Sequence, residues 1–326
     1  MGIPADEAAR SVLAVFGRRL LAGRLGEIAR PGRDRSEWHY WWQAHLVDCL
    51  IDAELRGSAA VRRGSARAVI RGIWLRNRLR FRNLYFDDMA WLALAALRAG
   101  RPARGLDVAL GSAVTPDGGV WWNTTRDFRN TAATGPVALY LARTGRRTEA
   151  GLLLDWLGAH LADPDTGLFR DGLRMEGGTE VLVPHVFTYN QGPALGAMLE
   201  LGRLHDAAAL VHAVGEHLTH PGTAVLRTHG SGDGGLFTGI LCRYLALAAG
   251  DDRLPVETRE PAAGLVRATA GNLWANREER GWRGRGVVVF PQDTAPEGAG
   301  VGERVELSTQ LQAWMALEAE LACSAG

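Results

Sequence analysis

Apolar residues recur at helical spacing in one segment of this 326-residue chain after another, and the connections between those segments alternate between tight and long. Trp38, Trp41, Trp42, Leu46, Cys49 and Leu50 share one helical face, as do Trp91, Leu94 and Ala95. Strand-like alternation is nearly absent. The pattern predicts helices near 5–22, 36–56, 62–78, 86–99, 102–113, 130–144, 147–161, 189–202, 204–218, 233–249, 259–275 and 305–322. Pairs such as 130–144 and 147–161 leave almost no room for a loop. Gly-rich stretches, TPDGGVWWNT, DPDTGLFRDGLRMEGG, RTHGSGDGG and the segment 281–302, instead follow roughly every second helix. Such an alternation arranges paired helices in a ring, with the long loops gathered on one face where function sits. Only Val287, Val288, Val289 and Phe290 read as a strand. No low-complexity linker interrupts the chain, so residues 1–326 are expected to form one all-α domain.

Composition narrows the function. The 37 basic and 36 acidic side chains leave a formal charge of +1, so no large net field draws the chain to nucleic acid or anionic lipid. The arginine-rich run from Arg71 to Arg82 reads as a solvated helix face. Acids precede the first apolar residues, and Arg18 and Arg19 break that stretch, which is unlike a signal peptide; no apolar run approaches the ~20 residues that span a bilayer. Cys49, Cys242 and Cys323 are few, odd in number and far apart, which fits neither a disulfide framework nor a zinc site. These features favour a cytoplasmic protein.

Chemistry is concentrated in a few loop and helix-entry motifs. In Tyr85-Phe-Asp-Asp-Met-Ala-Trp91, Asp87 and Asp88 sit side by side at the head of an apolar helix with aromatic flanks. Adjacent aspartates at such a place commonly cap the helix or complement its dipole. Here Tyr85, Phe86 and Trp91 would raise one carboxyl pKa, and the second charge opposes joint ionisation. Two acids in different protonation states are what glycoside hydrolysis needs, and aromatic planes suit the C–H faces of sugars.

In Asp117-Gly-Gly-Val-Trp-Trp-Asn123, Trp122 is expected to be buried, Trp121 to serve as a stacking platform and Asn123 to bond sugar hydroxyls. Tyr189, Asn190 and Gln191 offer a mixed aromatic and amide surface, and Asp171 adds a carboxylate from the preceding loop. Asp233 reads most simply as a helix cap, with Phe237 behind it as another aromatic face. His45, on an apolar helical face, reads as a core histidine. No His-Glu-x-x-His pattern, phosphate-cradling loop or serine triad is present, so neither a metal nor a nucleotide cofactor is expected.

Taken in order, WWQAHLVDCLIDAELR, YFDDMAWLALA, GGVWWN, GLFRDGL, FTYNQGPALGAMLELGR and LFTGILCRYLALAAGD resemble glycoside hydrolase family 76, the endo-α-1,6-mannanases, over roughly residues 36–320. The resemblance implies an (α/α)6 barrel of six helical hairpins and retaining hydrolysis of α-1,6-linked mannan or mannooligosaccharides by a monomer. Asp87 would then be the nucleophile and Asp88 the general acid/base, with Asn123, Asn190 and Gln191 bonding hydroxyls. Two other readings share the barrel: a sugar epimerase or isomerase, which would need histidines converging on the mouth, where His185 is the best loop candidate, and a carbohydrate-binding barrel without activity.

Overall fold

The computed structural model describes residues 3–20, 25–30, 38–101, 105–295, 300–302 and 305–324. In chain order the helices are α1 (Pro4–Val15), α2 (Tyr40–Leu55), α3 (Ser65–Arg76), α4 (Phe86–Arg98), α5 (Leu106–Gly111), α6 (Thr131–Arg143), α7 (Arg147–His160), α8 (Thr188–Leu201), α9 (Leu204–His217), α10 (Phe237–Ala249), α11 (Val256–Ala275) and α12 (Leu307–Ser324). A 3₁₀ turn, Gly232–Leu236, leads into α10.

The even-numbered helices pack side by side in sequence, α2 on α4, α4 on α6, α6 on α8, α8 on α10 and α10 on α12, and α12 returns to α2. The odd-numbered helices lie outside them, α3 against α2, α7 against α6, α9 against α8 and α11 against α10 and α12. The chain is thus mostly helical and forms a helical barrel.

Burial explains the two layers. Outer helix α7 buries Ala150, Leu153, Leu154, Trp156 and Leu157, the single stripe of an amphipathic surface helix. Inner helix α6 buries every residue from Thr131 to Leu139, because it has neighbours on all sides. Small residues let the inner helices approach. A Cβ on Gly239 of α10 would fall 2.6–3.0 Å from the backbone of Gln312 in α12, and one on Gly192 or Gly196 would strike the ring of Tyr244.

Inner-helix glutamines fasten the loops. Gln43 accepts from the Ala29 N–H and donates to its carbonyl, Gln191 does the same to Phe169, and Gln310 to Phe290. Each amide replaces the strand partner that a buried loop backbone would otherwise lack. Away from the loops, Arg98 of α4 bonds Asp48 and Asp52 of α2, and Arg243 of α10 donates to Asp52 at 2.7 Å. His45 is buried beside Trp41 and Trp91, and burial pushes its pKa down to about 3, so it is a neutral core residue.

The strands depart most from the sequence expectation. The helix expected over 5–22 stops at Val15, and β1 (Gly17–Leu20) pairs antiparallel with β2 (Gly26–Ala29); residues 21–22 of that expected helix lie outside the described residues. The expected helix starts at 36–37 and 102–104 also lie outside them. Three further strands, β3 (Phe128–Asn130), β4 (Arg170–Glu176) and β5 (Thr179–Val186), form an antiparallel sheet in that order. The expected strand over 287–290 is β7 (Arg285–Val289), paired with β6 (Glu278–Trp282).

Because Gly239 sits where two inner helices nearly touch, Gly239→Ala is expected to cost about 1–3 kcal/mol by overpacking. It should lower the urea midpoint; an unchanged midpoint would contradict the close approach.

Candidate active site

A cleft of about 650 Å³ opens where the inner helices begin. Its walls include Trp38 to Trp41 at the start of α2, Asp87, Asp88 and Trp91 of α4, Asn130 before α6, Tyr189 of α8, and Asp233 and Phe237 at the entry to α10. Helix N-termini present unpaired N–H groups and a positive dipole end, so this rim favours carboxylates and hydroxyl oxygens.

Asp87 and Asp88 lie in the first turn of α4. Neither caps it; the N-cap position is Tyr85, which makes no side-chain capping bond. The loop before α6 fixes them in place. Trp122 takes the Phe86 N–H on its carbonyl at 2.7 Å, donates its own N–H to Phe128, and its indole N–H reaches Asp87 Oδ2 at 3.0 Å. Asp87 Oδ1 is buried without a side-chain partner among the described residues. The Asn83 amide donates to Asp88 Oδ2, leaving the other oxygen free to carry a proton.

Burial dominates both acids. It pushes Asp87 up to about 7, against the indole and backbone N–H bonds that favour its anion, while the charge of Asp233 pushes the same way as burial. Asp88 is raised well above the carboxylate range by burial and then by Asp87 itself. The pair therefore holds a proton near neutral pH, and the stronger rise of Asp88, driven by burial and the Asp87 charge against the Asn83 amide, places it there.

Asp233 joins them as a third carboxylate. Its Oδ1 accepts the indole N–H groups of Trp41 and Trp42 at 3.0 and 2.8 Å, so it is more than the helix cap expected from sequence. Tyr189 stacks on Phe237 with centroids 3.9 Å apart, forming an aromatic floor. Asp171 also lines the cleft, its pKa raised by burial, and accepts from the Asn190 amide at 3.4 Å.

Tyr85, Asp87, Asp88, Trp122, Asp171, Tyr189 and Phe237 of the expected site thus surround one cleft. Trp121, Asn123, Asn190 and Gln191 are not among its lining residues. The two tryptophans exchange their expected places: Trp122 faces the cleft, and Trp121 packs on the core with Arg129 over its ring. Asn123 turns its side-chain oxygen to Thr125, and Gln191 commits both ends of its amide to loop backbone. Trp38, His39, Trp41, Asn83, Asn130 and Arg174 were not foreseen. Of these, the tryptophans carried a signal, since an indole N–H needs a partner that an apolar core does not supply.

The model of glycosyl hydrolase family 76 matches residues 109–325, more than half of the chain, beginning after the aspartate pair. The chain belongs to that family. A GH76A α-1,6-mannanase from Salegentibacter sp. HEL1_6 is similar in structure, with TM-score 0.83, 28% identity and 98% of each chain covered. An inactive variant of that enzyme, altered at two consecutive aspartates, is in complex with α-1,6-mannotriose and is 27% identical with TM-score 0.83 over 98% of each chain. A Listeria innocua protein shares the fold at 23% identity, TM-score 0.78, with 98% of this chain and 97% of that one covered. No curated protein sequence matches the chain. The chain is accordingly a glycoside hydrolase, and no helix among the described residues is long and apolar enough to cross a membrane.

Both acids keep their protons to higher pH in the folded chain than in the unfolded one. Between roughly pH 4 and 7 the folded state therefore binds more protons, and stability falls as pH rises. Asp87→Asn removes an ionisable member of the pair. Its thermal midpoint relative to wild type should climb from pH 4 to pH 8; a pH-independent difference would show that the acids are not desolvated as described.

Proposed function

We propose that this chain is a retaining glycoside hydrolase of one domain, an (α/α)6 barrel of six hairpins, that cleaves α-1,6-mannosidic linkages in mannan or mannooligosaccharides. The observation that carries the proposal is the asymmetry of the aspartate pair. Asp87 receives an indole N–H that favours its anion, and Asp88 is the acid that retains the proton.

In the first step the Asp87 carboxylate attacks the anomeric carbon as Asp88 transfers its proton to the departing glycosidic oxygen. A glycosyl ester forms on Asp87 and the C–O bond to the leaving sugar breaks. Esterification removes the Asp87 charge, which lowers the pKa of Asp88 and lets its carboxylate take a proton from water. The resulting hydroxide attacks the anomeric carbon from the face the leaving sugar vacated, opposite the ester, which frees the Asp87 carboxylate and leaves the proton on Asp88. Positive charge at the oxocarbenium-like transition state is stabilised by Asp87 and by Asp233, whose carboxylate also lines the cleft. Tyr189, Phe237 and Trp41 offer planes for the sugar rings.

Support for the linkage comes from the Salegentibacter relative, which holds α-1,6-mannotriose and, in another inactive variant, α-1,6-mannotetrose. Replacement of two consecutive aspartates inactivates that enzyme. The other consecutive pair in this chain, Asp251–Asp252, follows α10 and pairs with Arg253 and Arg259.

Asp87→Asn and Asp88→Asn should each lower kcat on α-1,6-mannotetraose by about 10²–10⁴-fold or more. Only Asp88→Asn should recover on an aryl α-mannoside whose leaving group needs no proton. Equal recovery of both variants would overturn the assignment of roles, and full activity in either would overturn the site.

A further inference from the structure

The part of the cleft wall formed by β3 and β4 holds one cation. β4 lies between β3 and β5, and its register sets Arg174 opposite Phe128 and Gly172 opposite Asn130. Cross-strand partners share a face, and here that face looks into the cleft: Phe128, Asn130 and Arg174 all line it. Gly172 permits this, because a Cβ there would lie 2.7 Å from the Cβ of Asn130 and 2.4 Å from the Arg129 carbonyl oxygen.

The Arg174 guanidinium lies over the buried Phe128 ring, its Cζ 4.3 Å from the centroid. A guanidinium placed over an aromatic ring is held by its charge and leaves its N–H donors for other partners. Arg174 is the one arginine or lysine among the described residues lining the cleft, and it makes no ion pair or hydrogen bond through its guanidinium among them. An arginine on the neighbouring strand β3 shows the contrast. Arg129 is buried, stacked on Trp156, and bonded to Asp117 and Glu180. Arg129 holds the loop and the sheet together, whereas among the described residues the Arg174 guanidinium meets the Phe128 ring without an ion pair or hydrogen bond.

On the same wall Asp171 presents a carboxyl group close enough for the Arg174 charge to act on it, yet without an ion pair between them. Donors and an acceptor set apart in this way match adjacent hydroxyls of one sugar, each of which both donates and accepts. The ligand is neutral, since Asp87, Asp88, Asp171 and Asp233 share the cleft and would repel an anion that a single guanidinium must hold.

We propose that Arg174, assisted by Asp171, is a specificity-determining residue that donates to adjacent hydroxyls of a mannosyl unit bound beside the one at the aspartate pair. The proposal rests on the reading of the chain as an α-1,6-mannan hydrolase. It makes Arg174 a positioning residue with an effect that depends on chain length.

Arg174→Met keeps an apolar cover on Phe128 and removes the donors, and Arg174→Lys restores one charged donor without the planar fork. Arg174→Met should raise KM about tenfold or more for α-1,6-mannotriose and mannotetraose, leave an aryl α-mannoside that occupies only the reacting position unchanged, and be partly reversed in Arg174→Lys. An equal effect on every substrate, or none, overturns the proposal. If the wild type cleaves none of them, calorimetric binding of α-1,6-mannotetraose to Asp87→Asn, with and without Arg174→Met, separates the two claims. Weaker binding with Arg174→Met upholds the role of Arg174 while the hydrolase reading falls. Equal binding overturns the role of Arg174, and absence of binding overturns both.

Discussion

Two carboxyl groups on consecutive residues, buried at the start of one inner helix, cannot both be charged. Burial raises both, the charge of Asp87 raises Asp88 further, and the charge of Asp233 raises each. What remains is to decide where the shared proton sits: the Trp122 indole and the pair's own backbone N–H groups favour the Asp87 anion, and at Asp88 the charge of Asp87 outweighs the Asn83 amide. The Trp122 backbone is in turn tied to Phe86 and Phe128, so the group that biases the pair is fixed to the same helix entry. The functional asymmetry is therefore a property of the loop before α6 as much as of the acids.

The barrel makes that arrangement possible by aiming helix starts at one cleft. The inner helices are nearly apolar around their circumference and must be enclosed, which places their polar ends at the mouths of the ring. At one mouth the N-termini of α2, α4, α8 and α10 receive carboxylates, aromatic rings and amides. Away from it, Asp48, Asp52, Arg98 and Arg243 close an ionic network across α2, α4 and α10. The glutamine amides on α2, α8 and α12 carry the loops by their backbone, so loop side chains are left for the substrate.

Helices were legible in the sequence because apolar periodicity is a local signal, and every expected helix has a counterpart. The sheet β3–β4–β5 was not. Thr179–Val186 is largely exposed and lacks the alternation that marks a half-buried strand, while β3 spans only Phe128–Asn130 and gains its pairing from a distant segment. Asp87 and Asp88 stood out through their flanking aromatics. The order of Trp121 and Trp122 was reversed, since which neighbour faces inward is set by the bridge between Trp121 and Arg129, a tertiary contact. Gln191 looked like a sugar ligand by residue type alone, yet its amide is occupied by Phe169 and Phe187. Asp233 was hidden by the ease with which an aspartate before a helix explains itself as a cap.

The central claim is that these two acids act on opposite faces of one anomeric carbon, Asp87 as nucleophile and Asp88 as proton carrier on the leaving-group side. Proton NMR of α-1,6-mannotriose during its first turnovers tests it most directly. Initial appearance of the α-anomer of the newly formed reducing end, with the β-anomer arising only by later mutarotation, is the predicted result. Initial release of the β-anomer would contradict the account.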